Sequence, residues 1–201
     1  KIKNIKLIYK RNMKIIVKWT LDKTIPIVAI SVDPVYNRLI VGVGKVIVLY
    51  DANTGEELGK CEKHSQEVTC LAFRKDGRVF ASGAKDNIVY FWDVNKPHKP
   101  TNKITFPDPL IHLYYNPCFM ILLSMSKTMV NVCNEKSATK YPLNKTGVDC
   151  CWTNDGKKYA IAYENGQVII KDLEEGNEEK EICVNEEKEE KITCICFSKQ
   201  K

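Results

Sequence analysis

Chemistry in this chain of 201 residues would have to start from three histidines and nine cysteines. The cysteines are Cys61, Cys70, Cys118, Cys133, Cys150, Cys151, Cys183, Cys194 and Cys196. An odd number, with no charged-then-apolar export leader, reads as reduced thiols in the cytosol rather than a disulfide framework. Structural zinc calls for thiol pairs two to four residues apart with a second pair or histidines downstream, whereas here only the adjacent Cys150 and Cys151 and the alternate Cys194 and Cys196 lie close. Residues two apart on a strand share a face, so Cys194 and Cys196 are read as small core residues on one side. No metal site and no cofactor is expected. His98 lies between prolines in a loop, and His112 sits beside Leu113 in an apolar strand, where a satisfied face position accounts for it. No phosphate-cradling glycine loop, nucleophile elbow or paired-carboxylate motif occurs, so catalytic residues are not expected either.

The elements that would position these residues repeat. Val68 to Asp93 (VTCLAFRKDGRVFASGAKDNIVYFWD) can be laid on Val148 to Asp172 (VDCCWTNDGKKYAIAYENGQVIIKD), with Phe73 on Trp152, Asp76-Gly77 on Asp155-Gly156 and Trp92-Asp93 on Lys171-Asp172. Each offset is 79 residues, room for two units of about 40. Leu110 to Asn134 is the intermediate copy, with Tyr115 at the aromatic position; Ile27 to Asp51 is an earlier one, and a fifth begins at Lys191 to Lys199.

Within each copy, short stretches rich in Val, Ile, Phe, Tyr and Cys alternate with turn residues, as antiparallel strands do. In the second copy the strands are predicted at Val68 to Phe73, Val79 to Gly83 and Ile88 to Trp92. Asp76-Gly77 and Lys85-Asp86-Asn87 supply the turns between them, because Gly, Asn and Asp tolerate the left-handed backbone region. No helical periodicity is sustained. The period favours an all-β propeller over a sandwich: a small twisted blade cannot bury both faces alone and must stack on its neighbours. Residues 13–201 are thus expected to form an incomplete propeller of about four blades and the start of a fifth, with repeats near 25–61, 62–103, 104–140, 141–184 and 185–201.

The hydrophobic fraction of 44% beside 28% charged residues describes a globular chain. No apolar run outlasts Phe119 to Leu123, far short of the roughly 18 residues a membrane-spanning helix needs. The net charge of +6 is concentrated at one end: residues 1–24 hold eight Lys or Arg against Asp22, leaving 23 basic and 24 acidic groups in the rest. A basic nucleic-acid-binding face across the body is therefore not expected. Residues 1–12 are read as a non-native or disordered basic leader, with Met13 the native start. Lys96 to Lys103 and the Glu-rich Glu174 to Glu190 are expected as exposed loops, with Ile182-Cys183-Val184 a candidate outer strand of the fourth blade.

The second copy resembles the WD-repeat family. In that family a His before the first strand, a Ser or Thr on the second, an Asp in the next turn and a Trp on the third form a hydrogen-bonded network. The matching residues are His64, Ser82, Asp86 and Trp92. On this resemblance His64 is a structural residue, since a buried imidazole, carboxylate, hydroxyl and indole can satisfy one another. The Gly that usually precedes the His is Lys63, and the other copies lack most of the network, so apolar packing should hold those blades.

The order of Trp19, VIVLYD with ANTGEEL, FASGAKDNIVYFW, Tyr115-Asn116-Pro117 and CCWTNDGKKYAIAYENGQVIIKD is similar to the amino-terminal propeller of the WD-repeat subunit of intraflagellar transport complex A, over residues 13–199. The resemblance implies a non-catalytic scaffold for retrograde ciliary transport and cargo entry, in the cytoplasm and at the cilium or flagellum and its base. Its implied partners are other subunits of that complex and ciliary cargo, with no small-molecule substrate and no nucleic acid. A vesicle-coat subunit or a chromatin-associated WD-repeat protein are the alternatives.

Overall fold

A computed structural model describes residues 2–11, 14–134, 138–173, 179–183 and 192–198. These residues form strands and turns without helix, in four meandering sheets that follow chain order. The first sheet comprises β1 (Ile2–Arg11), β2 (Lys14–Val32), β3 (Arg38–Val43), β4 (Val46–Asp51) and β5 (Glu57–Cys61). The second holds β6 (Val68–Phe73), β7 (Val79–Ala84), β8 (Ile88–Asp93) and β9 (Pro100–Thr105). The third holds β10 (Leu110–Tyr115), β11 (Leu122–Ser126), β12 (Met129–Cys133) and β13 (Ala138–Pro142). The fourth holds β14 (Gly147–Trp152), β15 (Lys158–Tyr163), β16 (Gln167–Asp172) and β17 (Glu179–Cys183).

The second sheet has the three strands predicted from its alternation, plus β9, which begins inside the segment expected as a loop from Lys96 to Lys103. Turn chemistry acts where anticipated: Gly77, Gly156 and Asn87 have φ of 67°, 71° and 65°. Ile2–Arg11 is a strand paired antiparallel with β2, and Ile, Leu and Tyr are interleaved along it. Met13 and the charged flanks of the Glu-rich run lie outside the described residues, whereas Ile182 and Cys183 belong to β17.

One irregularity recurs. The pairing of each sheet's repeat-initiating strand with its neighbour skips a residue between Ile27 and Ala29, Val68 and Cys70, Leu110 and His112, and Gly147 and Asp149. A bulge there increases local twist, which a wedge-shaped blade needs, and re-aims the side chain that follows.

The chain divides into two compact units, Lys1–Ile104 and Thr105–Lys201. In the first, Ile40, Ile47 and Leu49 of one sheet pack with Phe80, Tyr90 and Trp92 of the next. In the second, Leu123, Met125 and Val130 pack with Cys150, Trp152, Tyr159 and Ile161. Both units use the same backbone link between sheets: Val68 N–H donates to Gly44 O at 2.8 Å, and Gly147 N–H to Lys127 O at 2.9 Å.

Candidate functional site

The second sheet brings His64, Ser82, Asp86 and Trp92 together. His64 stands in the β5–β6 loop, Ser82 at the middle of β7, Asp86 in the β7–β8 turn and Trp92 near the end of β8. Trp92 Nε1 lies 2.8 Å from Ser82 Oγ, which lies 2.8 Å from His64 Nε2, while His64 Nδ1 lies 2.9 Å from Asp86 Oδ2. Asp86 also accepts the Ser65 N–H at 2.9 Å and the Ile88 N–H at 3.2 Å, pinning the loop to the turn.

Proton counting fixes the direction of this chain. An indole N–H can only donate, so Ser82 Oγ accepts from Trp92 and turns its own proton toward His64 Nε2. The imidazole is then the neutral Nδ1–H form, donating to Asp86. Burial holds the His64 pKa below its ordinary value, although the hydrogen bond and charge of Asp86 pull it upward. Protonated His64 would present a second donor to Ser82 and leave the hydroxyl proton without an acceptor.

Ser82, His64 and Asp86 have the connectivity of an acyl-transfer triad, but not its access. Ser82 has 0% exposure and its Oγ is occupied by Trp92. A nucleophile must meet a substrate, and this hydroxyl faces only the interior. The other sheets replace the pair: Val41 and Tyr50, Ser124 and Cys133, and Ile161 and Lys171 hold the register positions of Ser82 and Trp92.

His98 is exposed in the turn before β9. His112 is half-buried on β10; its Nε2 donates to Val148 O at 3.0 Å and its ring stacks on Tyr114. Sequence reasoning missed its neighbour. Asp149, only 3% exposed, follows the β14 bulge as His112 follows the β10 bulge. Its carboxylate accepts from Cys150 N–H at 2.8 Å, Ile195 N–H at 2.9 Å and the Tyr114 hydroxyl at 3.3 Å. Burial, reinforced by the Asp149 charge, raises the Tyr114 pKa far above the usual tyrosine range. The one signal in the sequence was a charge, Asp149, set among apolar residues at the start of a strand.

Cys61, Cys70, Cys133 and Cys150 are buried, and burial pushes the first three thiols up to about 12. No cluster of three or more metal-capable side chains occurs among the described residues. Cys194 and Cys196 correct the expectation of small core residues. They do share a side, but both are exposed, because Ile195 and Phe197 take the sheltered side of that segment.

The turns hold two further matched arrangements. Asp33 caps the β2–β3 turn by accepting Val35 N–H at 2.8 Å and Tyr36 N–H at 3.1 Å, and Arg38 donates to it at 2.7 Å. Asn116 caps the β10–β11 turn through Cys118 N–H at 2.8 Å and Phe119 N–H at 2.9 Å, and donates to Gly156 O at 2.7 Å.

These sheets agree with the comparisons. Residues 55–93 match the family "WD domain, G-beta repeat", and residues 120–200 match "Anaphase-promoting complex subunit 4 WD40 domain". The chain belongs to the WD-repeat family. The "Intraflagellar transport protein 122 homolog" of Xenopus tropicalis is 31% identical over 144 residues, 71% of this chain and 12% of that protein. Its Homo sapiens counterpart is 31% identical over the same share of this chain and 11% of its own length. The chain therefore spans about 12% of the relatives it matches. Among solved structures, the Cps50 (Swd1) beta-propeller domain of Myceliophteria thermophila superposes with a TM-score of 0.72 at 16% identity, covering 81% of this chain and 56% of that one. The shared fold is a WD-repeat β-propeller, and the four sheets of the described residues have the meandering antiparallel order of its blades.

Proposed function

We propose that this WD-repeat chain is a non-catalytic scaffold of intraflagellar transport complex A, supporting retrograde ciliary transport and the entry of cargo into cilia. The observation that carries this reading is similarity at 31% identity across 71% of the chain to proteins named for intraflagellar transport. A likeness extending well beyond one repeat is more specific than the blade signature, which very many scaffolds share. Its partners on this reading are other subunits of the complex and ciliary cargo, and its place is the cytoplasm, the cilium or flagellum and its base.

His64, Ser82, Asp86 and Trp92 serve in this reading as structural glue. They hold the β5–β6 loop on the second blade, and loop-built surfaces on a rigid frame are what propellers offer to partners.

Affinity purification of the tagged endogenous protein from ciliated cells, with imaging of the same tag, tests the assignment. Co-purification of complex A subunits, a signal at the ciliary base, and accumulation of transport material at ciliary tips on depletion are expected. Recovery of vesicle-coat or chromatin subunits instead, with no ciliary signal, overturns it.

A further inference from the structure

Three turns of the first unit surround a pocket of about 330 Å³ lined by Tyr36, Arg38, Arg78 and Asn95. Tyr36 belongs to the β2–β3 turn, Arg38 opens β3, Arg78 precedes β7 and Asn95 follows β8. The lining is dominated by donors. A guanidinium carries five N–H groups and no acceptor, and the Tyr hydroxyl and Asn amide add more.

Arg38 is held in place by the fold. Its Nε donates to Asp33 at 2.7 Å, its Nη2 reaches Asp33 at 2.7 Å and the Gly77 carbonyl at 2.5 Å, and its guanidinium lies 4.8 Å from the Tyr36 ring centre. That leaves its Nη1 edge for another group. Arg78 is exposed and among the described residues makes no ion pair within 4 Å, although its charge, after that of Arg74, helps hold the Asp76 carboxyl below its ordinary range. The neighbouring carboxylates are already engaged. Asp33 is 4% exposed and bound to Arg38 and the turn, and Asp76 is bridged by both Nε and Nη2 of Arg74. Asp93 accepts the Asn95 N–H. After Asn95 the chain enters the lining of a second hollow, of about 400 Å³, where Lys96, His98 and Lys99 stand with one carboxylate, Asp93.

From this juxtaposition of Arg38, Arg78, Tyr36 and Asn95 we infer a binding site for the phosphate of a phosphorylated serine or threonine, carried by an acidic peptide segment of a protein partner. The inference goes beyond the scaffold assignment and does not depend on which assembly the propeller serves. A single carboxylate offers two oxygens and one charge, which Arg78 alone would satisfy. A phosphomonoester brings three oxygens and close to two charges, matching two guanidinium edges fixed on separate turns. The second hollow, with its lysines, would take acidic residues flanking the phosphate. Concavity favours a peptide over a membrane, which asks for a broad basic face.

The test is fluorescence anisotropy of the full chain with a labelled Gly-Glu-phosphoserine-Glu-Gly peptide and its unphosphorylated twin. The phosphorylated peptide is expected to bind about tenfold tighter or more, and inorganic phosphate to compete with it. Arg78→Gln should remove about that factor and Arg78→Lys should restore part of it, while Lys127→Gln in the other unit leaves binding unchanged. Arg78 is exposed, so loss of folding does not confound the variant, and circular dichroism checks this. Equal binding of the two peptides, failure of phosphate to compete, or indifference to Arg78→Gln overturns the inference. So does tighter binding to phosphoinositide vesicles or to single-stranded RNA than to the phosphopeptide.

Discussion

The Asp33 carboxylate fills the space that a side chain at Gly77 would need. A Cβ built on Gly77 overlaps Asp33 Oδ1, and Arg38 ties the turns together by donating to Asp33 and to the Gly77 carbonyl. Asn116 and Gly156 repeat the relationship in the other unit, where the amide does alone what Asp33 and Arg38 share. In both cases a proline follows the capping residue and a left-handed glycine receives it.

Gly77→Ala and Gly156→Ala should each cost about 2 to 4 kcal/mol, the sum of a left-handed backbone penalty and the displaced cap. Asp33→Ala should cost about 3 kcal/mol, because Arg38 loses its counter-ion; Asp33→Asn should cost less, since it keeps the turn cap as Asn116 does. Urea unfolding curves measure all four. Gly77→Ala at wild-type stability would show that the clasp is loose.

Trp92 is fully buried, stacks on Phe80 and donates to Ser82. Trp92→Ala should cost about 3 to 5 kcal/mol, and Trp92→Phe, which removes the N–H but keeps most of the ring, about 1 to 2. A loss below about 1 kcal/mol for the alanine variant, read from the unfolding midpoint, would refute the network as a stabilising element.

How far these features could be read from the sequence differs by residue. The strands of the second sheet were legible because Val, Ile and aromatic residues alternate between Asp-Gly and Asp-Asn turns, and a period near 40 excludes most other all-β arrangements. The meeting of His64, Ser82, Asp86 and Trp92 was legible only through the family motif, since the chain separates them by up to 28 positions. The recurrent bulges were not legible. A skipped residue changes no composition, yet it puts His112 and Asp149 where the first two sheets carry Ala29 and Cys70. Nor was the exposure of Cys194 and Cys196: alternation predicts that two residues share a side, not which side is sheltered.

The neutral His64 gives stability a pH dependence of defined sign. Burial lowers its folded pKa below the value near 6.5 of the free side chain, so the unfolded chain binds the proton more readily. Its contribution is complete above the unfolded pKa and is lost as pH falls through the folded one. The urea midpoint should therefore drop as pH falls below about 6.5, and His64→Gln should flatten that part of the profile. A midpoint that rises on acidification would mean that His64 is stabilised in its charged form.

Thiol reactivity should sort by burial. Cys61, Cys70 and Cys133, with pKa values of about 12, should resist N-ethylmaleimide in the native protein. Cys118, Cys194 and Cys196 are exposed and should be labelled first, as read by peptide mass spectrometry. Early labelling of Cys61 would show that the cover over the end of β5 opens readily.

Asp149 links β14 to the segment that follows the fourth sheet, because its Oδ2 accepts the Ile195 N–H at 2.9 Å while its Oδ1 accepts from Cys150 N–H and the Tyr114 hydroxyl. Asp149→Ala removes the acceptor without touching Ile195 itself. The Ile195 amide should then exchange with solvent about tenfold faster or more, the equivalent of losing roughly 1.4 kcal/mol of local protection. Val79 and Phe80, in the other unit, provide the internal reference and should exchange as before. A second readout separates the link from general loosening: Tyr114 loses a nearby negative charge, so its alkaline titration should move down toward the ordinary tyrosine range. Faster exchange at Ile195 without that downward movement would place the effect in the backbone rather than in the carboxylate.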